Sequence, residues 1–338
     1  MVSWVVSGIF AGASVIMWPF VGLSLTPNAI WLVPVFAGLY CCLLTPVLVR
    51  YRLRSDDARG ALWLKRLADA VALFMKGAIP FTLISLSFAV YSTLAVRLRL
   101  PLKDAELATL DAFIGFHWLQ FLTFVNSSKI ASAILVFAYH SFVPQFVFLI
   151  AVLSFMRMGE RISEFVSLYA VTALITAIVA TIVPAAGAHA FFAPSSEQFS
   201  NFTSFSGMWH HDALVTLRTV KIMSFDPFQL EGMVTFPSFH AAAAILMAYA
   251  VRGIRVIGTA MLALNVVMIV STVPEGGHYL VDVVAGILTA IVCIAVRARI
   301  FESNDRQLSF LRSIARGSRF DGVAKRVAMK NPMNTPFQ

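Results

Sequence analysis

Apolar stretches close to 20 residues long recur along almost the whole chain, and stretches of that length with almost no charge need hydrocarbon around them as helices. They fall near 3–24, 28–49, 70–96, 130–155, 164–186, 238–251, 254–273 and 278–297. The expected fold class is therefore all-α: a polytopic membrane helical bundle of about eight transmembrane helices. The sixth run is short and spans only if Met233 to Phe236 or the following turn extends it. With 338 residues the length would allow two soluble domains, but only 13% of the residues are charged and 59% are hydrophobic. Soluble domains carry roughly 25% charged residues, so one membrane domain is expected. The first run, Val2 to Leu25, lacks a basic n-region and a clean small-residue cleavage site, and reads as a retained span.

A formal charge of +9 would suggest nucleic acid in a soluble protein, yet here the positive residues flank the apolar runs. Arg50, Arg52, Arg54, Arg59, Lys65 and Arg66 lie between runs two and three, Arg157 and Arg161 between four and five, and Arg252 and Arg255 between six and seven. The tail from Arg297 to Lys330 is basic as well. Every second loop is thus basic, and short loops rich in Lys and Arg stay cytoplasmic. Both termini are expected inside, with loops 97–129, 187–237 and 273–278 on the periplasmic or lumenal side. The tail suits solvent or lipid headgroups, and no nucleic-acid partner is expected. Leu107, Leu110, Phe113, Ile114 and Trp118 recur at helix-like spacing, which fits an amphipathic segment in the interface or a loop packed on the bundle. Cys41, Cys42 and Cys293 sit inside apolar runs and imply no disulfide framework.

Two segments put ionisable residues at the edges of apolar helices, where burying charge is expensive and usually functional. The second, Ser271 to Asp282, carries His278 and Asp282 four residues apart, so both project from one helix face. A carboxylate on one imidazole nitrogen fixes the tautomer and leaves the other free as a nucleophile or base. Gly276 and Gly277 before it permit close backbone approach, and a helix amino terminus there favours an anion. In the first, Phe236 to Ala242, Pro237 suits an opening helical turn that carries Ser238 and His240. Runs six and eight begin on the same membrane face, so both histidines can serve one anion. Two His and one Asp form neither an HExxH nor a Cys/His cluster, and neither metal nor cofactor is expected.

Pro237-Ser238-Phe239-His240 resembles the second motif of the type 2 phosphatidic acid phosphatase superfamily, usually Pro-Ser-Gly-His. Ser271, His278 and Asp282 match the spacing of its third motif, Ser-Arg-x5-His-x3-Asp. The residue before His240 and the Gly-His-Tyr of the third motif look most like the branch of the inositol phosphorylceramide synthases (inositolphosphotransferase-like). Asp111-Ala-Phe-Ile-Gly-Phe-His117-Trp118 and Ala138-Tyr139-His140-Ser141 also look like segments of that branch. The first motif, Lys-x6-Arg-Pro, is absent, and Thr272 replaces the third-motif arginine. Arg218 and Lys221 are the cations expected to balance the phosphate instead.

The resemblance implies a six-helix phosphatase-like core within 69–300, after two spans and a basic loop in 1–68 and before a basic tail in 301–338. It implies attack on a lipid phosphate by His278, with Asp282 holding the ring. His240 would protonate the leaving alkoxide and then deprotonate the incoming water or alcohol. Ser238, Arg218, Lys221 and the amides near Gly276 and Gly277 would bind phosphate oxygens. Water as acceptor gives a lipid phosphatase, whereas a polyol or sugar hydroxyl gives a headgroup phosphotransferase. The third reading is a transporter with a histidine-lined path, although the polar residues cluster at span ends. The expected location is a bacterial inner membrane with a periplasmic site.

Overall fold

The computed structural model describes residues 1–226 and 232–300, so the expected tail 301–338 lies outside the described residues. The helices are α1 (Val2–Met17), α2 (Leu32–Arg52), α3 (Arg59–Val96), α4 (Asp104–Phe113), α5 (Trp118–Asn126), α6 (Lys129–His140) and α7 (Phe142–Phe155). They continue with α8 (Gly159–Ile182), α9 (Ala188–Phe192), α10 (His211–Thr219), α11 (Phe239–Ala250), α12 (Arg255–Ser271) and α13 (Leu280–Ile300). Two three-residue strands, β1 (Leu23–Leu25) and β2 (Met223–Phe225), pair in parallel, with Ser24 opposite Ser224. The chain divides into two units, Met1–Ile291 and Val292–Gln338; the site described below lies within the first.

Each of the eight apolar runs falls on a helix or a bent helix pair, and the chain is an all-α polytopic bundle. Among the described residues, four helices are long and apolar enough to cross a membrane: α1 with its following turn, α3, α8 and α13. The count reaches six if the bent pairs α4–α5 (77°) and α6–α7 (56°) each form one span. Helices α11 and α12 have 12 and 17 residues, which at 1.5 Å per residue is about 18 and 26 Å, short of a hydrocarbon layer of about 30 Å. Helix α3 runs unbroken from Arg59 to Val96, through residue 68, where the two N-terminal spans were expected to give way to the core.

The centre of the bundle is built by α3, α7, α8 and α11, whose inward residues include Ile84, Leu149, Ile150, Ala170 and Ala173. Helices in lipid gain little from apolar burial against one another, so close approach of small residues holds them together. Accordingly Ala241, Ala242, Ala243 and Ala244 of α11 are all buried. A Cβ on Gly77 would stand 2.7 Å from Ile162 Cγ2, so α3 approaches α8 where a side chain is missing.

The ends of the bundle are tied by polar contacts. At one end Arg252 bonds Glu164 at 2.8 Å, and both Arg50 and Arg157 reach Asp69. At the other, Arg97 at the end of α3 is buried and donates to the carbonyls of Val21 (2.7 Å), Leu217 (2.8 Å), Lys221 (2.6 Å) and Val220. It fastens the end of α10 and the segment leading to β1 onto α3. Helices α4 and α5 bury Leu107, Trp118, Leu122 and Val125 in an apolar cluster with Tyr279 and Val283. Leu110, Phe113 and Ile114 face outward, so the segment is apolar on both sides.

Candidate active site

His278 lies in the turn between α12 and α13, and Asp282 lies in the first turn of α13. His278 Nδ1 is 3.2 Å from Asp282 Oδ2, and the same oxygen accepts the Tyr279 N–H at 3.0 Å. The backbone of the turn is bonded on every side. His278 N–H donates to the Thr272 carbonyl at 3.1 Å, and the His278 carbonyl accepts from Trp118 Nε1 at 3.1 Å. From α4, Asp111 accepts the Leu280 and Val281 N–H groups, both at 2.8 Å. A carboxylate on the free N–H groups of a helix amino terminus satisfies them and is favoured by the helix dipole. These amides are therefore engaged by protein, while among the described residues those of Gly276 and Gly277 carry no hydrogen bond.

Gly277 has φ of +67°, and a Cβ there would stand 2.6 Å from the Cα of Gly207, itself at φ +64°. The loop after α9 is thereby pressed against the turn, with Gly207 N–H donating to the Glu275 carbonyl at 2.8 Å and Ala188 N–H to that of Gly277 at 2.7 Å. Only a residue free of the Cβ clash adopts that backbone without strain.

His240 opens α11, capped by Ser238, whose side chain accepts the Ala241 N–H. Ser238 N–H also donates to the Asp282 carbonyl at 2.9 Å, joining the two motifs backbone to backbone. The His240 ring stacks on Tyr139 (centroids 4.7 Å apart, 17° between planes) and tilts against Phe142. A Cβ on Gly276 would lie 2.8 Å from Tyr139 Cε2 and 3.1 Å from His278 Cδ2. Gly276 thus stands between the ring that stacks on His240 and the ring of His278, and the two histidines are within electrostatic reach. The structure gathers His240, His278, Asp282, Ser238, Gly276 and Gly277 in one place.

Arg218 and Lys221 stand differently. Arg218 donates to the Leu100 carbonyl at 2.9 Å and lines a narrow pocket with Leu214, Met233 and Thr235. Lys221 is exposed beyond α10, its carbonyl taken by Arg97. Thr272, at the place of the third-motif arginine, bonds its own hydroxyl to the Ile269 carbonyl.

Burial lowers the His278 imidazole, with the Thr235 carbonyl opposing. Burial likewise lowers His210 to about 4, helped by the nearby His278 and opposed by the Ala186 carbonyl that its Nε2 meets at 3.2 Å. His189 falls to about 4 for the same first reason. Neutral rings keep a lone pair available at neutral pH. Among the described residues no three His, Cys, Asp or Glu side chains are arranged to hold a metal ion.

Three residues of this framework escape a reading of the motifs alone. Asp104 accepts the Ala186 and Gly187 N–H groups and the Tyr279 hydroxyl (3.1 Å), and Glu275 is a fully buried carboxylate. His210 sits in a loop without pattern. The available signals were an Asp inside a helix-like apolar segment for Asp104 and the spacer position of the third motif for Glu275.

Asp111→Ala is expected to destabilise the protein by about 2–4 kcal/mol, because two part-buried N–H groups lose their carboxylate partner. Thermal unfolding in detergent reads this as a lowered Tm, with Asp111→Asn intermediate. A parental Tm in Asp111→Ala would show that these amides find water or another acceptor.

The family model of the PAP2 superfamily matches residues 105–296, more than half of the chain and all of the histidine site. No curated protein and no solved structure matches the chain significantly.

Proposed function

Because the chain belongs to the PAP2 superfamily, we propose that it is a metal-independent phosphoesterase that cleaves a lipid phosphate through a phosphohistidine on His278. The observation that carries this reading is the His278–Asp282 contact of 3.2 Å, with His240 within reach across Gly276 and Tyr139. Asp282 holds Nδ1, so Nε2 attacks phosphorus, and the carboxylate balances the charge that grows on the ring. His240 gives its proton to the leaving alkoxide. The unbonded amides of Gly276 and Gly277 and the Ser238 hydroxyl donate to the equatorial oxygens as negative charge builds there. Arg218 completes the countercharge from the pocket it shares with Thr235, and Lys221 supports it from the loop.

The catalytic part is residues 69–300, with the site on the periplasmic face of an inner membrane and both termini cytoplasmic. Supporting that orientation, Arg252 and its partner Glu164 lie at the end of α11 opposite His240. The substrate is a lipid phosphate and the acceptor water. A second reading, transfer to a polyol or sugar hydroxyl, is favoured by one observation: both further segments of the synthase-like resemblance converge on the site, through Asp111, Trp118 and Tyr139.

Purified protein in detergent is expected to release phosphate from phosphatidic acid equally with and without EDTA, and rapid quenching should trap an acid-labile, alkali-stable phosphoprotein. His240→Ala is expected to slow attack on the lipid ester far more than on a substrate with a good leaving group. Product on added inositol or glycerol would select the transferase reading. Inhibition by EDTA, or turnover without a trapped phosphoprotein, would overturn the mechanism.

A further inference from the structure

A second histidine–carboxylate pair stands beside the first. His140 ends α6 at the elbow with α7, and its Nε2 is 3.0 Å from Glu275 Oε1. The Glu275 side chain is 0% exposed whereas that of His140 is 44% exposed. The Thr203 hydroxyl donates to the same Oε1 at 2.6 Å, and the Thr203 N–H approaches Oε2 at 3.5 Å. A carboxylate removed from water persists only where its partners are held in place, so the Glu275 end of the pair is fixed and the imidazole end is open. Trp209 and Tyr139 pack edge-on against the His140 ring. Tyr139 is also the ring that stacks on His240 and abuts Gly276. One aromatic side chain therefore separates the two histidines, and they lie within electrostatic reach of each other.

We propose that His140, oriented by Glu275, is the general base of the second half-reaction, taking the proton of the incoming hydroxyl, while His240 serves only the leaving group. This rests on the phosphohistidine reading above. Glu275 holds the Nε2–H of His140 and so leaves the lone pair on Nδ1. An acceptor enters after the lipid alcohol has left, and the half-exposed His140 can meet it; His240 is packed between Tyr139 and Phe142. The acceptor oxygen forms the new P–O bond with its lone pair. The P–N bond breaks with its electrons returning to His278 Nε2, and the acceptor proton passes to His140 Nδ1 and then to bulk water. No further reactant is needed.

The test is single-turnover rapid quench with labelled phosphatidic acid, following formation and decay of the phosphoprotein. In His140→Gln, formation is expected within about twofold of the parent while decay slows on the order of 100-fold, the usual worth of a positioned base. Glu275→Gln should slow decay in the same direction. Imidazole added to His140→Gly should restore decay, which a purely structural loss would not allow. Parental decay in His140→Gln, equal slowing of both steps, or accumulation in His240→Ala alone would overturn the assignment. A parent that traps no phosphoprotein would instead overturn the two-step reading, and this assignment with it.

Discussion

His278→Ala is expected to lower turnover of a lipid phosphate on the order of 10⁴-fold or more and to abolish the trapped phosphoprotein, because removing a nucleophile removes the whole covalent pathway. The neighbouring histidines cannot substitute. His240 is packed between two aromatic rings, and His210 is bound to the Ala186 carbonyl; neither has a carboxylate holding its ring as Asp282 holds His278. Asp282→Asn gives a graded companion result. The amide can still accept from the Tyr279 N–H but cannot balance the charge on the ring, so the phosphoprotein should form slowly and not vanish. Parental turnover in His278→Ala, measured as phosphate release from detergent-solubilised phosphatidic acid, would mean that another group attacks phosphorus.

Gly286→Ala is expected to be nearly as damaging, although no atom of Gly286 takes part in chemistry. A Cβ there would stand 2.1 Å from the Ser238 carbonyl oxygen, and the obstacle is backbone on both sides. Helix α13 would have to retreat from the start of α11, the very junction at which Ser238 N–H meets the Asp282 carbonyl. A displacement of about 1 Å between reacting groups costs on the order of 100-fold in rate. The expected result is that loss in formation of the phosphoprotein, together with a lowered Tm. Gly38→Ala in α2, where nothing lies within 4 Å, should leave both unchanged and serves as the control. Parental kinetics in Gly286→Ala would show that the two helices can separate without disturbing the histidines.

The helices were legible because run length and low charge act locally, and all eight runs land on helices. The number of crossings was less legible: Arg252 and Arg255 mark real ends of α11 and α12, but the helices between such ends come out short. His278 and Asp282 could be paired in advance from their four-residue spacing, although His278 meets Asp282 from the turn just before α13 and not from the helix face itself. Asp111 could be read as part of a resemblance, yet its task could not, since its partners Leu280 and Val281 lie 169 and 170 positions away. Glu275 was hidden as a spacer because its meaning depends on His140 and Thr203, both brought by tertiary packing. Arg218 was nominated by charge and position alone; it lies on α10, donates to the Leu100 carbonyl and lines the pocket with Thr235.

The ties that Asp111 and Trp118 make to the turn around His278 bear on how the protein is made. Ribosomes emit roughly 5–20 residues per second, so these two side chains exist for about 10–30 s before their partners are synthesised. Throughout that interval Asp111 has no Leu280 or Val281 amide to bind, and a carboxylate without such a partner is held in contact with water. Arrival of the His278 turn and α13, the last helix described, supplies both amides and the indole's acceptor together. The turn around His278 is thus set by groups that wait for it, and a chain released before that turn would carry His240 and His140 without the His278–Asp282 pair.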